Sequence, residues 1–369
     1  MLEYIFIAFV IIFCIQSIYY LLFFGKFAFS KVFSLKNKES TPISIIICAK
    51  NEEENLQKKL PLFALQKYSE FELVLINDAS TDTTLEVMEE FKKTSKIPVK
   101  IVNIIPNEQF WGSKKYALTL GIKAASYKHL LFTDADCKPI SNNWIHKMAQ
   151  HFSSEKELIL GYGKYKNIKN SLVNKLIRFE TLFTAIQYFG YAKLGFPYMG
   201  VGRNIAYTKS LFFNNNGFVN HMKIKSGDDD LFVNEVATVK NTTICFSKDS
   251  FTISEPKKTF KQWIQQKRRH ISTANYYKKS HKYLLGLFYL SQILFYILAT
   301  LLLLFLYNWK IVLLLILIRF SFQYIIIGLS SKKLDEKGLT IFAPFYEILL
   351  ILIQLFIFIK NLTEKPTHW

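Results

Sequence analysis

The sequence has few cysteines, and none of them is spaced to bind a metal ion. Cys14, Cys48, Cys137 and Cys245 are the four cysteines among 369 residues, and they lie far apart in the chain. Structural zinc sites use closely spaced cysteine pairs, and small disulfide-bonded domains use many cysteines. The sequence therefore predicts neither a zinc site nor a disulfide framework.

No nucleic-acid-binding motif accompanies the strongly basic composition. The formal net charge is +19, because 47 Lys and Arg residues outweigh 28 Asp and Glu residues. Basic charge indicates nucleic-acid binding when it belongs to a zinc finger, a basic helix or a similar motif. We therefore expect no nucleic-acid partner, and we expect anionic membrane lipid to meet this charge.

The N-terminal segment has no basic residue at its start. Residues 2–24 are almost uncharged and are long enough to cross a bilayer core of about 30 Å. A cleaved signal peptide has a basic start, a shorter apolar core and a small-residue cleavage site. Because this segment starts with Glu3 and ends on bulky Phe23 and Phe24, we predict an uncleaved membrane anchor over residues 1–25.

Three further apolar runs follow near the C-terminus, at residues 283–306, 311–329 and 341–359. Each run is long enough to span a membrane, whereas the alternative, buried helices of a soluble domain, would require a very large core. Arg319 and Glu347 are the only charged residues inside the second and third runs. Charged side chains at membrane depth usually face a helix bundle, so we hypothesise that these two residues pair.

Basic residues cluster beside the apolar runs. Lys and Arg are concentrated in the cytoplasmic loops of membrane proteins, and with four crossings the three clusters would share one side. We therefore predict a multi-pass protein of the cell (inner) membrane with a cytoplasmic middle domain, an orientation that Lys360 and Lys365 mildly oppose. The clusters are Lys26, Lys31, Lys36 and Lys38, then Lys261, Lys267, Arg268, Arg269, Lys278, Lys279 and Lys282, and then Lys332, Lys333 and Lys337.

The middle of the chain alternates short apolar runs with segments of helical spacing. This alternation indicates an α/β domain with a parallel sheet, in which ligands bind beyond the carboxyl ends of the strands. The predicted strands are residues 43–48, 71–76, 99–105 and 129–133, and the predicted helices are residues 55–66, 83–94 and 114–125.

Polar clusters follow three of the predicted strands and contain Glu52, Asp78 and the pair Asp134 and Asp136. Because parallel strands end at one edge of the sheet, these clusters predict a single pocket. Two carboxylates on residues 134 and 136 are hard oxygen ligands of the kind that suits Mg²⁺ or Mn²⁺. The alternative for this pair is an ordinary turn with local side-chain hydrogen bonds.

The order of these motifs resembles that of the family 2 glycosyltransferases. Residues 77–82 (Asn-Asp-Ala-Ser-Thr-Asp), 112–115 (Gly-Ser-Lys-Lys) and 134–136 (Asp-Ala-Asp) are similar to the family's Asp-Asp-Gly-Ser-x-Asp, Gly-Lys-x-x-Ala-Leu and Asp-x-Asp. Asn77 and Ala79 depart from the family's Asp and Gly. The resemblance covers about residues 42–270 and implies a GT-A nucleotide-sugar transferase domain, with a mostly parallel sheet flanked by helices.

The resemblance implies roles on the donor side of the site. Asp78 would contact the nucleotide base, and Glu52 would lie near the nucleoside. Lys114 and Asp134 would line the donor site, and Asp136 would hold a divalent metal, Mg²⁺ or Mn²⁺, on the diphosphate. Helix capping is the alternative for Asp78, and we expect it for Asp82.

The resemblance also implies an acceptor side. Residues 200–206 are similar to the family's Gly-x-Gly-x-Asn-x-Ala loop, which would bring Gly202 and Asn204 to the substrate, although these glycines also suit a plain turn. Residues 226–230 place three successive acids before a helix, and such crowding raises the pKa of one of them. An inverting transfer needs a general base, for which we predict Asp229, with Asp228 second. Acids attracted to a helix N-terminus are the alternative.

Residues 265–270 resemble the Gln-x-x-Arg-Arg-Trp motif of membrane-embedded family members. Gln265, Arg268 and Arg269 would bind substrate, because arginine can hold a diphosphate with two hydrogen bonds. His270 stands where the family has Trp, and we hypothesise that Trp263 contacts the acceptor instead. A basic amphipathic helix on anionic lipid is a compatible second interpretation.

The sequence thus predicts four regions: an N-terminal transmembrane helix (1–25), a GT-A catalytic domain (40–260), an amphipathic interface helix (261–282) and three C-terminal transmembrane helices (283–369). The resemblance implies an inverting glycosyltransferase that uses a nucleotide sugar, UDP- or GDP-linked, and a lipid-linked or glycan acceptor at the membrane. His270 favours a single transfer or a small synthase over processive synthesis. The alternative is an inactive membrane scaffold or transporter subunit with the same fold.

Overall fold

A computed structural model describes residues 1–32, 41–105, 114–224 and 226–364 of the chain. The chain divides into two compact units, and every strand in the described ranges lies in one of them. That unit consists of Val32–Lys166 and Pro197–Pro256. The helical unit consists of Met1–Lys31, Asn167–Phe196 and Lys257–Trp369.

The central sheet, as far as the chain is described, has seven strands in the order β3-β2-β1-β4-β8-β6-β9. Strands β1 to β4 run parallel, β8 is antiparallel to both β4 and β6, and a smaller sheet has the order β5-β10-β7. The strands are β1 Ile43–Ala49, β2 Phe71–Asn77, β3 Val99–Asn103, β4 His129–Asp134, β5 Cys137–Pro139, β6 Leu158–Leu160, β7 Gly163–Tyr165, β8 Ile205–Thr208, β9 Thr242–Ile244 and β10 Thr252–Ser254.

The first four strands confirm the sequence prediction of a mostly parallel α/β sheet. Every residue of β2 is buried, as expected for a central parallel strand covered on both faces. A helix packs closely on this sheet because Gly121 has no side chain, and a Cβ there would lie 2.2 Å from Ile76 Cδ1. The helices of this unit are α3 Glu53–Ala64, α4 Thr84–Thr94, α5 Lys114–Ala124, α6 Trp144–Ala149, α8 Lys209–Asn214 and α9 Asp230–Val236.

The helical unit contains four helices, among the described residues, that are long and apolar enough to cross a membrane. Each overlaps one predicted span, and the first runs on through a π-helical turn, Tyr19–Phe24, to Ala28. The helices of this unit are α1 Leu2–Ile18, α2 Gly25–Ala28, α7 Leu172–Leu194, α10 Phe260–Thr273, α11 Lys279–Leu304, α12 Trp309–Lys333 and α13 Ala343–Thr363.

One helix places part of the predicted catalytic range in the helical unit. Helix α7 starts at the Ser171 cap and ends at Gly195, which has a φ of 97°. An ion pair of 2.6 Å joins Arg178 on this helix to Glu336, and both side chains are buried. The sequence predicted a continuous domain over 40–260, but these contacts group Asn167–Phe196 with the spanning helices instead.

The hypothesised pair between Arg319 and Glu347 is present in the helical unit. Arg319 Nη2 lies 2.6 Å from Glu347 Oε1, and both side chains are almost fully buried. Glu347 also accepts hydrogen bonds from the side chains of Tyr20, Gln292, Tyr296 and Gln323. The network joins all four apolar helices, so a buried charge pair and its polar neighbours fix how these helices pack.

We expect Arg319→Leu or Glu347→Leu alone to destabilise the protein by about 3–5 kcal/mol, because each leaves one buried charge unpaired. The double variant should lose less stability than either single variant, since it removes both charges. Thermal unfolding in detergent would measure this, with Lys310→Leu, an exposed cation of the same helix, as the control. Additive losses in the double variant would contradict a coupled pair.

Candidate functional site

The carboxyl ends of β1 and β2 bring Glu52 and Asp78 to one edge of the sheet. The backbone N–H of Asp78 donates to the carbonyl of Ala49 at 2.9 Å, which ties the two strand ends together. Asp78 is 9% exposed, and burial raises the pKa of its carboxyl, while Lys50 and Lys114 oppose that rise. Asp78 therefore faces a partly desolvated site. Asp82 accepts from the N–H of Thr84, but the N-cap of α4 is Thr83, so Asp82 lies one residue before the predicted cap position.

The turns that leave these strands have left-handed backbone. Asn51 has a φ of 56° and Ala79 a φ of 51°. Asparagine tolerates this region well, but alanine at positive φ carries a strain of about 1–2 kcal/mol. Ala79 stands where the resemblance has glycine, so the backbone shape of the motif is kept although its glycine is absent.

Asp134 and Asp136 meet at the end of β4 together with Cys137. One ligand atom from each of the three side chains lies within 4.8 Å of the other two. Burial and the neighbouring Asp134 carboxylate raise the pKa of Asp136, and the Cys137 thiol donates to Asp136 Oδ1 at 3.3 Å. Two carboxylate oxygens forced this close fit a divalent cation such as Mg²⁺ or Mn²⁺, so the residues present suit the predicted metal.

Lys59 on α3 connects the turn that carries Glu52 with the turn that carries Asp134 and Asp136. Its Nζ donates to the Asp136 carbonyl and to Asn55 Oδ1, each at 2.5 Å. Asn55 Nδ2 in turn donates to Glu52 Oε2 at 2.5 Å. Burial raises the pKa of Glu52, and the Asp136 and Asp134 charges raise it further, which places Glu52 within the same acidic cluster.

Lys114, the first residue of α5, bridges two acids from different parts of the chain. Its Nζ lies 3.0 Å from Asp134 Oδ1 and 2.9 Å from Asp228 Oδ2. Burial alone would lower the pKa of Lys114, but these two carboxylates hold it well above its ordinary value. Burial likewise disfavours ionised Asp228, yet the Lys114 ammonium keeps the pKa of Asp228 below its usual range. The pair is therefore ionised.

Asp229 is an acid of this pocket whose pKa is raised toward neutral pH. Burial, together with the charges of Asp228 and Asp230, raises its pKa to about 7. Its Oδ2 accepts from the N–H of Gly202 at 2.6 Å, and its Oδ1 accepts from the N–H of Asp230 at 2.8 Å. Asp229 thus caps α9 and also lines the pocket that contains Lys114, Asp134, Gly202 and Asp228.

Asn204 occupies a supporting position rather than a substrate-facing one. Its side chain is fully buried, accepts from Trp144 Nε1 at 3.1 Å and donates to the carbonyls of Tyr162 and Ser250. All of its hydrogen-bonding groups are used inside the protein. The prediction of direct substrate contact is thus corrected for Asn204, whose side chain anchors the loop of residues 200–206 to Trp144, Tyr162 and Ser250.

Gln265, Arg268 and Arg269 lie on α10, in the helical unit. Arg268 donates to Asn361 Oδ1 at 2.9 Å and to the carbonyl of Glu364 at 2.7 Å, so its guanidinium binds the end of α13. Gln265 is exposed. Trp263 is 1% exposed and packs against Phe260, so the hypothesis that it stacks on an acceptor is wrong for this structure.

Two cations beside the acids were not singled out from sequence. Arg203 and Lys59 both lower the pKa of Asp136, against the larger effect of burial. The Arg203 guanidinium lies 4.2 Å from the centre of the Tyr165 ring. The backbone carbonyl of Arg203 accepts hydrogen bonds from the hydroxyls of Thr133 and Thr252. Only the packing of β4, β8 and β10 brings these residues together. The predicted Gly112 and Ser113 of the α5 loop lie outside the described residues.

Comparison with known proteins identifies relatives that transfer sugars. Residues 44–215 match the family described as glycosyl transferase family 2. A poly-beta-1,6-N-acetyl-D-glucosamine synthase from Staphylococcus epidermidis is 31% identical over 170 residues, which are 45% of this chain and 39% of that protein. An uncharacterized glycosyltransferase from Haemophilus influenzae is 33% identical over 128 residues, which are 34% of this chain and 37% of that protein. The chain thus spans well under half the length of these curated relatives.

A solved structure has a similar fold over most of the chain. A mannosyltransferase from Pyrobaculum calidifontis, in complex with GDP-Man and Mn²⁺, has a TM-score of 0.60 and 16% sequence identity, and the match covers 92% of this chain and 100% of that one. At this identity the similarity concerns the fold. The mostly parallel sheet and this similarity show the GT-A fold, and within it residues 44–215 match the glycosyl transferase family 2 model.

Proposed function

We propose that the protein is an inverting glycosyltransferase that moves a sugar from a nucleotide sugar to a lipid-linked or glycan acceptor at the membrane. The observation that carries this proposal is the Lys114 bridge between Asp134 and Asp228. It holds the acids suited to a divalent metal next to the acids suited to general-base catalysis. An inverting transfer can use both groups around one anomeric carbon, the metal to stabilise the leaving diphosphate and the base to accept the proton of the attacking hydroxyl.

On the donor side, Asp78 and Glu52 would bind the nucleoside, and Asp134 and Asp136 would hold the metal. Bound there, Mg²⁺ or Mn²⁺ would supply positive charge that stabilises a departing nucleoside diphosphate. Lys114 is an ionised group in the same pocket and favours an anionic leaving group there. The donors to test follow from two relatives: a synthase of an N-acetylglucosamine polymer and a mannosyltransferase solved with GDP-Man.

On the acceptor side, Asp229 would take the proton of the attacking hydroxyl. The acceptor oxygen then bonds to the anomeric carbon while the bond from that carbon to the phosphate oxygen breaks. Attack from the face opposite the leaving group inverts the configuration, and no covalent sugar–enzyme bond is needed. A base with a pKa near 7 suits this step, because it is partly ionised at neutral pH and still binds a proton well.

We further propose that Gln265, Arg268 and Arg269 contribute to substrate binding from α10. In this structure Arg268 is held by Asn361 and Glu364, so a phosphate-binding role would require these hydrogen bonds to be exchanged. The exposed His270, in place of the family's Trp, favours a single transfer or a short product. Product length from a radiolabelled donor would decide this, and long polymers would contradict it.

The first test separates an enzyme from an inactive scaffold or transporter subunit with the same fold. We expect the purified protein to bind UDP or GDP only when Mn²⁺ is added, because the Asp134 and Asp136 carboxylates repel an unaccompanied diphosphate. Calorimetry in detergent would measure the dissociation constant. Asp136→Asn should weaken binding at least tenfold, whereas Asp249→Asn, at an exposed position, should not. Folded wild-type protein that binds neither nucleotide would favour the scaffold.

The second test assigns the base. With a panel of nucleotide sugars in membranes, we expect Asp229→Asn to lower kcat by about 10²–10⁴. Asparagine has one acceptor oxygen and so keeps one of the two backbone hydrogen bonds, and thermal unfolding of the variant would confirm that it is folded. Since protonation inactivates the base, wild-type kcat/KM should fall as pH decreases through about 7 and level off above it. Unchanged transfer by Asp229→Asn, with loss in Asp228→Asn, would move the base to Asp228.

The third test concerns location, which we propose to be the cell (inner) membrane with the strand-bearing unit in the cytoplasm. In a variant with Cys14 and Cys48 changed to serine, a cysteine at exposed position Lys248 should react with a membrane-impermeant maleimide in inside-out vesicles only. A cysteine at Leu306, between the second and third spans, should react in right-side-out vesicles only. The reverse pattern would overturn the orientation.

A further inference from the structure

Lys115 is a buried lysine whose ammonium has no carboxylate partner among its hydrogen bonds. The residue is 2% exposed, and its Nζ donates to three backbone carbonyls: His221 at 2.7 Å, Ile224 at 3.0 Å and Ser226 at 2.8 Å. An ammonium group has three N–H donors, and here all three are used. Such a buried cation is costly unless it is fully hydrogen-bonded.

The three carbonyls belong to the segment that leads into the acids of α9. This segment lies between Gly217 and Gly227, which have φ angles of 57° and 91°. Apart from the short 3-10 helix Val219–His221, its described residues form no helix or strand. The carbonyl of His221 also accepts from the N–H of Ile224 at 3.1 Å, and Lys115 joins this carbonyl to those of Ile224 and Ser226, directly before Asp228 and Asp229.

The charges that face Lys115 favour this arrangement. Burial lowers its pKa to about 8, while Asp228, Asp230 and Asp229 oppose that decrease by attracting the ammonium. The one histidine it contacts is not a competing cation, because burial and Lys115 lower the pKa of His221 to about 4. The ammonium thus has three carbonyl partners and is also attracted by three carboxylates.

We propose that Lys115 is a positioning residue for the general base, a role that rests on the proposed function. The first two residues of α5 bind different parts of the site. Lys114 binds the Asp134 and Asp228 side chains, whereas Lys115 fixes the backbone that carries Asp228 and Asp229. Helix α5 packs closely on the sheet at Gly121. Through Lys114 and Lys115, this one helix therefore binds both the donor-side acid Asp134 and the segment that carries the proposed base.

The test compares Lys115→Met with Lys123→Met, an exposed lysine of the same helix. Methionine keeps the length of the side chain but loses the three hydrogen bonds, so the base is displaced while the donor side is untouched. We expect kcat to fall about 10- to 100-fold, as for a base misplaced by about 1 Å. The donor KM and the Mn²⁺-dependent affinity for UDP or GDP should stay within threefold of wild type, and Lys123→Met should match wild type throughout.

A rescue experiment separates positioning from folding. In Lys115→Ala, propylammonium should restore part of kcat, because it replaces the missing chain and its charge, and butanol should not. The positioning role is wrong if Lys115→Met keeps kcat within twofold of wild type, or if it loses nucleotide affinity and kcat to the same extent. Sugar transfer by the wild-type protein would still support the proposed function in either case. If wild type transfers no sugar from any donor, both fail.

Discussion

The whole candidate site depends on keeping several carboxylates together at one sheet edge without mutual repulsion. Lys114 solves the central part of this problem, because one ammonium lies 2.9–3.0 Å from acids of two distant chain segments. The charges of Lys59 and Arg203 stabilise the ionised form of Asp136. Burial and the neighbouring Asp134 carboxylate nevertheless raise the pKa of Asp136. A divalent cation bound by Asp134 and Asp136 would reduce the repulsion between these two carboxylates.

The features that the sequence predicted are those with a local signal. Strands β1, β2 and β4 are short continuous apolar runs, so their positions follow from composition alone. The acids Asp78, Asp134 and Asp136 follow directly from strand ends, where a parallel sheet collects its ligand-binding groups. The Arg319–Glu347 pair was predictable for a similar reason, since charges are scarce in apolar helices and each had one candidate partner.

The features that the sequence did not predict depend on contacts between distant segments. Lys59, Arg203 and Lys115 are ordinary basic residues in a basic chain until packing places them beside acids or carbonyls. Asn204 fits a substrate-contacting motif by type and position, and Trp263 was hypothesised to replace the motif's Trp, yet both side chains are buried in the protein interior. Residue type constrains chemistry, but burial decides whether a side chain can meet a substrate.

The environment of Asp229 reconciles its two roles, cap of α9 and proposed base. Each of its oxygens accepts one backbone N–H, which leaves a further lone pair on each to receive a proton. The two backbone hydrogen bonds favour the ionised form, and burial beside Asp228 and Asp230 favours the neutral one, so neither form dominates at neutral pH. A proton taken from an acceptor hydroxyl can then return to water without a large barrier, and the base is ready for another transfer.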